Sequence, residues 1–376
     1  MNHTRILYVI DSMGNGGAET QLLRFLARLP TDRFEAFVVL SREAGDRHDQ
    51  LAKLPIVQEV TVLHDKGRSS IPSLIGKAFK VAGIIKAVQP QVLHSWLWYS
   101  SFVCGLVQQF CPSLPLSFIV SQRGDYHARY GRLRLWLTEK VVYHHADVVL
   151  TNSDRLRDNL RHRYPDKHIS VVRNIIDLPV CTPRPSHHDS LTRHIVSVGR
   201  LDPEKGQHCF IQALNLLNTQ FACSDFTATI LGDGDLREEL HHLVNFYRLS
   251  NRIQLPGYCQ DIFTILSSAH LFVLPSLHES SPNALIEAMG VGLPCIASAV
   301  GGVLDLIEDR ESGLLVPPAE PEALAEAIHR LLTNRELTLH LGKNARRKIH
   351  QMFNNEQSIR QLEEVYKNCL EAHNPR

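Results

Sequence analysis

Short apolar runs alternate with stretches whose apolar residues recur every three or four positions. The runs Ile6–Ile10, Glu35–Leu40, Val57–Leu63, Val92–His94, Ser117–Ser121, Val148–Thr151 and Ser170–Val172 read as strands. A second series follows at His194–Val198, Thr227–Leu231, Ile253–Leu255, Leu271–Leu274, Pro294–Ala297 and Gly313–Val316. Strands alternating with helices predict parallel sheets with right-handed crossovers. Between the two series, Leu178 to Ser190 holds Pro179, Pro183 and Pro185 with His187 and His188 and no periodicity, which reads as an exposed linker. The expectation is therefore two doubly wound α/β domains, residues 1–177 and 193–352, joined by a linker at 178–192. Residues 353–376 form a terminal helix. Its apolar positions Ile359, Leu362, Val365, Tyr366, Cys369 and Leu370 share one face and need a partner surface, which the first domain can supply.

Length agrees with two domains: 376 residues exceed one typical core. A net charge of +1 gives no global field for nucleic acid, and nucleic acid is not an expected partner. The eight cysteines include no C-x-x-C pair, and the simplest reading is a reduced, cytoplasmic compartment. The chain starts directly into a strand without a signal-peptide pattern, and no run of about 18 apolar residues is present to span a membrane.

In doubly wound domains, ligands bind beyond the carboxyl ends of the strands, and with two such domains the expected site is the cleft between them. The strand-end segments therefore hold the candidate chemistry. Glu279 and Glu287 flank the segment Ser280-Ser281-Pro282-Asn283. Pro282 suits a first helical turn, and Ala284 to Gly290 reads as the helix that follows. Two carboxylates beside a helix N-terminus fit a sugar nucleotide, with phosphates at the helix end and hydroxyl-rich rings beside the acids. Val198-Gly199-Arg200 and Lys205-Gly206 put a planar fork and a point charge on one loop, a set suited to a diphosphate; salt bridges to Asp202 and Glu204 are the plainer reading. Gly14-Asn15-Gly16-Gly17 after the first strand is a phosphate cradle or an ordinary tight turn. Asp233 and Asp235 form a D-x-D, read as a turn in which Asp235 caps the helix from Leu236. No metal ligand set is identified and no cofactor is expected.

His94 ends a buried strand beside Trp96 and Trp98, and is either a satisfied core histidine or a group near substrate. Arg123 ends another strand and is a candidate contact to an acceptor phosphate. From Arg123 to Lys140 basic residues interleave with Leu and Trp, a composition suited to an anionic membrane surface or to a solvated helix packed on the core.

The ordered set of Gly16-Gly17-Ala18-Glu19, His94, Thr151-Asn152-Ser153, Asn174-Ile175-Ile176-Asp177, Arg200 with Lys205, Glu279-x7-Glu287 and Gly313 to Pro318 resembles the GT-B glycosyltransferases of family 4. The resemblance implies two Rossmann-like domains facing across a cleft and transfer from a nucleotide-sugar donor, UDP by default, with retention and without a metal. By the same resemblance, Arg200 and Lys205 hold the diphosphate and stabilise the leaving group. Glu287 holds the ribose, Glu279 the donor sugar, and backbone N–H groups around Ser281, Pro282 and Asn283 lie near the phosphates. Gly16 and Gly17 approach from the first domain, and His94 lies near the donor sugar and the acceptor. The implied acceptor is a saccharide or lipid-linked saccharide of cell-surface polysaccharide or glycolipid synthesis, at the inner face of the cytoplasmic membrane. Ser280 and Ser281 stand where the family often has glycine and a bulky apolar residue. Two other functions are compatible with the fold, a silent nucleotide- or saccharide-binding module and a sugar-nucleotide epimerase. An epimerase would need a base in the first domain that the sequence does not identify.

Overall fold

The computed structural model describes residues 3–64, 71–124, 126, 131–179, 192–221 and 223–373. The chain folds into two units, one of Met1–Ile175 with Asn355–Arg376 and one of Ile176–Asn354. Most of the proposed linker, 180–191, lies outside the described residues, as do Asp125 and 127–130 of the basic segment.

The first unit holds a seven-stranded parallel sheet: β1 (Thr4–Ile10), β2 (Phe34–Leu40), β3 (Val57–Val62), β4 (Val92–Trp96), β5 (Ser117–Ser121), β6 (Val148–Thr151) and β7 (His168–Val171). Their order is β3-β2-β1-β4-β5-β6-β7, so the direction of winding reverses between β1 and β4. Both faces of the sheet are covered, which is why its strands read as nearly continuous apolar runs. Ile6, Tyr8 and Ile10 enter one core and Leu7 and Val9 the other, as the two-residue period of a strand requires.

The terminal helix, Asn355–His373, closes the first of these cores. Ile359, Leu362, Val365, Tyr366 and Cys369 are all buried in it with β1 and β4 residues. The apolar stripe seen in the sequence thus has its partner in the first unit.

The second unit holds β8 (Arg193–Val198), β9 (Phe226–Leu231), β10 (Ile253–Gly257), β11 (Leu271–Leu274), β12 (Cys295–Ser298) and β13 (Leu314–Val316). All pairings are parallel, in the order β10-β9-β8-β11-β12-β13, with the switch between β8 and β11. The alternation repeats: Leu271 and Val273 face one core, Phe272 and Leu274 the other. Ile175 is buried in a first-unit core and Ile176 in a second-unit core, so the chain passes from one unit to the other at that peptide. Leu178, read as linker, packs on Gly290 in the second unit.

Candidate functional site in the second unit

β8 and β11 are neighbours at the switch point, and their carboxyl-end loops carry the charged residues singled out above. After β8 come Gly199, Arg200, Leu201 and Asp202, a short 3-10 turn at Pro203–Lys205, and the helix Gln207–Thr219. After β11 come Pro275 to Pro282 and the helix Asn283–Gly290. Pro282 occupies the N-cap rather than the first helical turn, and its own side chain makes no capping bond.

The two loops are tied together. Lys205 Nζ donates to Glu279 Oε1 at 2.6 Å, and the same oxygen accepts from Ser276 Oγ at 2.8 Å. Both charged side chains are largely shielded, with 20% and 8% of their surface exposed. Leu277 N–H bonds the Glu204 carbonyl at 2.8 Å, a backbone stitch between the same loops. Gly206 has φ +66°, and a Cβ there would overlap the Pro275 carbonyl oxygen. Only glycine permits that approach without strain.

A third loop, after β12, fixes the glutamate from the other side. Gly302 N–H bonds the Glu279 carbonyl at 3.0 Å, and Gly301, at φ +43°, lies so close to that carbonyl that a side chain would collide with it. Sequence reasoning missed Ser276 and Gly301-Gly302. The glycine pair after a strand was the available signal.

Arg200 is mostly exposed and pairs with Asp202 at 2.9 Å, the plainer of the two readings of that loop. Glu287 lies buried on the helix Asn283–Gly290, and Ser280 is buried in the loop before it. Ser281 and Asn283 are partly exposed beside the helix start, and Pro282 is buried there. Arg200, Lys205, Glu279, Ser281, Pro282, Asn283 and Glu287 thus all sit on two adjacent strand-end segments.

The D-x-D turn does other work. Asp233 bonds the Gly234 N–H at 3.0 Å and lies 3.6 Å from Arg237. The helix there is Arg237–Phe246 with Leu236 at its N-cap, so Asp235 is not its cap. Among the described residues no group of three His, Cys, Asp or Glu side chains is placed to hold a metal ion.

The remaining candidates belong to the first unit. Gly16 is the N-cap of the helix Gly17–Leu26, directly after the β1 loop. His94 is fully buried in the middle of β4 rather than at its end, because the strand runs on to Trp96. Its Nδ1 bonds the Tyr366 hydroxyl and its Nε2 the Ser121 hydroxyl, each at 2.8 Å, and Tyr366 also bonds Tyr8 at 2.8 Å. As placed, neither ring nitrogen of His94 is available to a substrate. Burial, with the Arg123 charge adding to it, holds the imidazole pKa well below its ordinary value. Arg123 follows β5, donates from Nη1 to Asn174 Oδ1 at 3.1 Å, and lies with its guanidinium carbon 4.2 Å from the Trp96 ring centre.

Family models and solved structures cover the same ground. A family described as Glycosyltransferase Family 4 matches residues 15–179, and one described as Glycosyl transferases group 1 matches residues 183–348. The UDP-Gal:alpha-D-GlcNAc-diphosphoundecaprenol alpha-1,3-galactosyltransferase of Escherichia coli is 31% identical over 208 residues, 53% of this chain and 54% of that protein. The chain thus spans about half the length of the first curated relatives it matches. The lipopolysaccharide core biosynthesis glycosyltransferase LpsE of Rhizobium meliloti is 23% identical over 91% of this chain and 93% of its own. The crystal structure of Anabaena HepE in complex with UDP-glucose superposes with a TM-score of 0.82 at 22% identity, covering 97% of this chain and 100% of that one. That likeness is one of fold.

Proposed function

The chain belongs to the GT-B glycosyltransferases of family 4, and on that premise we propose that it moves a sugar from a nucleotide-sugar donor to a saccharide or lipid-linked saccharide acceptor, with retention and without a metal. The observation that carries this reading is the Lys205–Glu279 pair, set on the two loops that flank the switch point of the second sheet. Departure of a nucleoside diphosphate puts negative charge on its oxygens. Lys205, Arg200 and the positive end of the helix after Pro282 are the groups to receive that charge, and such groups act most strongly in the transition state.

In this reading the donor's bond between C1 and the phosphate oxygen breaks as the acceptor oxygen attacks from the same face. The acceptor's proton passes to the departing phosphate oxygen. Glu279 holds the donor sugar's hydroxyls and Glu287 the ribose. Gly16 and Gly17 contribute backbone approach from the first unit. His94 is assigned a positioning role, holding β4, β5 and the terminal helix together, because both its nitrogens are already bonded. UDP is the proposed carrier, supported by the family and by the UDP-glucose complex of HepE. The names of the two relatives support a surface-polysaccharide or glycolipid acceptor.

Peripheral membrane contact belongs to the same proposal. The helix Arg132–Leu137 exposes Leu133 and Trp136 beside Arg132 and Arg134, a mixture that suits an anionic lipid surface. No helix of the described residues is long and apolar enough to cross a membrane.

The test is a thermal-shift panel of UDP, GDP and ADP sugars on the wild type, Glu287→Ala and Arg200→Ala. Stabilisation by one nucleotide sugar, abolished in both variants, supports the donor site and names its base. Nucleotide release that requires an acceptor then supports transfer. Binding with no release in the presence of any saccharide acceptor moves the reading to a silent module.

A further inference from the structure

The sheet of the first unit ends at β7, and beyond that edge lies an open cleft of about 540 Å³. Its volume is that of a small-ligand site. The helix Asp154–Arg163 walls it on one face of the sheet, where Leu156 and Leu160 share a core with Ile169. The terminal helix walls it on the other face, where Val365 shares a core with Val172. The cleft is thus the space that an eighth strand would occupy. Its lining belongs wholly to the first unit, whereas the donor cations Arg200 and Lys205 belong to the second.

That space is guarded against a strand. Val172 N–H bonds the Thr151 carbonyl of β6 at 2.9 Å, so Ile169 and Val171 aim their N–H and C=O groups outward from the sheet. Arg161 lies across this edge and donates from Nη2 to the Ile169 carbonyl at 3.0 Å. A charged side chain laid on an edge refuses further pairing. The occupant that suits the cleft is therefore a small ligand rather than an extended peptide.

The side chains of the lining select its chemistry. Arg157, Arg161 and Arg173 face two carboxylates, Asp154 and Glu364. Asp154 accepts from both Arg157, at 2.6 Å, and Arg173, and Arg157 also bonds Asp158. Arg161 forms no ion pair with any carboxylate among the described residues. On the opposite wall Gln361, Glu364 and Asn368 rise from one face of the terminal helix, at the spacing of neighbouring turns. Among the described residues their side chains have no hydrogen-bond or ion-pair partner. The apolar share of the lining is small, Val171, Val172 and Val365. An unpaired guanidinium opposite two amides and a carboxylate suits a polyhydroxylated anion: the planar fork takes an oxyanion, the amides and the acid take hydroxyls.

We propose that this cleft is a second carbohydrate site, which binds a sugar bearing a carboxylate or a phosphate, its oxyanion on Arg161 and its hydroxyls on Gln361, Glu364 and Asn368. Its use, holding an acidic unit of the saccharide acceptor, rests on the transfer reading above; the binding itself does not.

Ligand-observed NMR titration of the full chain tests it, with glucuronic acid, glucose 6-phosphate and glucose as probes, with and without saturating UDP. Wild type is expected to bind an acidic sugar at millimolar concentration, and glucose about tenfold more weakly or less. Tighter binding of glucuronic acid names a uronate, tighter binding of glucose 6-phosphate a phosphosugar. Arg161→Gln should weaken the acidic sugar by about tenfold, and Gln361→Ala combined with Asn368→Ala by a few-fold. No binding by wild type overturns the proposal. So does equal affinity for glucose, unchanged affinity in both variants, or displacement of the sugar by UDP, which would assign it to the donor loops. UDP that does not bind at all removes the transfer reading and leaves an Arg161-dependent sugar affinity standing by itself.

A second measurement guards against an arginine that only protects an edge. Arg161→Gln should keep the wild-type sedimentation and melting temperature, since Arg161 is exposed. Association of this variant with its sugar affinity intact would mean that Arg161 serves to refuse a strand, and overturns the proposal. The Gln361 and Asn368 substitutions leave β7 untouched and read the sugar contacts with the edge still covered.

Discussion

Lys205 Nζ and Glu279 Oε1 meet at 2.6 Å, although 74 residues separate them in the chain. Each is oriented by a different strand of the same switch point, and each is more than three-quarters shielded from solvent. The pair thus holds a cation and a carboxylate in fixed relation where a charged ligand is expected.

Removing either member should expose that dependence. Lys205→Ala is expected to reduce transfer about 100-fold, the scale on which preorganised charge stabilisers act. It also leaves a shielded carboxylate that keeps the Ser276 hydroxyl but loses its cation. A double-mutant cycle of Lys205→Ala and Glu279→Ala on melting free energy should give a coupling above about 1 kcal/mol. Additive effects would mean that the pair is not an energetic unit. Glu279→Gln should keep modest activity if the residue only holds the sugar, and a trapped glycosyl–Glu279 adduct would overturn front-face attack.

Glycine substitutions should divide by backbone geometry. Gly206→Ala places a methyl against the Pro275 carbonyl oxygen at φ +66° and should cost about 1–3 kcal/mol, with weaker donor binding. Gly83→Ala lies in the helix Ile71–Val88, where nothing lies within 4 Å of the new methyl. It should stabilise the protein by about 0.5–1 kcal/mol. Chemical denaturation of both variants checks the contrast, and equal effects would contradict it.

The buried His94 predicts an acid sensitivity. Its folded pKa lies below the unfolded value near 6.5, so below that pH the unfolded chain binds a proton the folded one refuses. Its titration does not change stability at higher pH, but stability falls as pH drops through about 6.5 toward the folded value, by at most ~1.4 kcal/mol per pH unit for one proton. His194 and His145 shift in the same direction, so the comparison must be with a variant. His94→Gln should melt lower at neutral pH and show a shallower loss between pH 6.5 and 5. An unchanged slope would show that His94 is not the sensor.

Membrane contact should be electrostatic. Purified protein is expected to float with anionic vesicles at low salt and to release at high salt, since the Debye length falls to about 3 Å at 1 M. Trp136→Ser and Arg132→Ser should each weaken flotation. Equal binding to neutral vesicles would remove the electrostatic version.

Every strand of both sheets was visible in the sequence, with ends that match or differ by at most two residues. The reason is physical: parallel strands buried on both faces leave little room for polar residues, so their apolar runs stand out. The placement of Lys205 and Glu279 in strand-end segments was legible too, because locating the strands locates the loops that follow them. The pairing of Lys205 with Glu279 was not legible, since it depends on β8 and β11 being neighbours. His94 shows the limit most clearly. Its strand was plain, but whether its nitrogens were free depended on Tyr366, 272 residues away on a helix whose partner surface the sequence could only anticipate.

The first unit is interrupted: the chain leaves it at Ile175 and returns at Asn355. Its Tyr366 hydroxyl, which joins Tyr8 to His94, is therefore translated only after the whole second unit. On the ribosome the second unit has all of its strands before the first has its last wall. The Tyr8 and His94 side of the nascent sheet must wait, with its apolar face uncovered, while some 180 residues are made. The part that begins first is the part that finishes last.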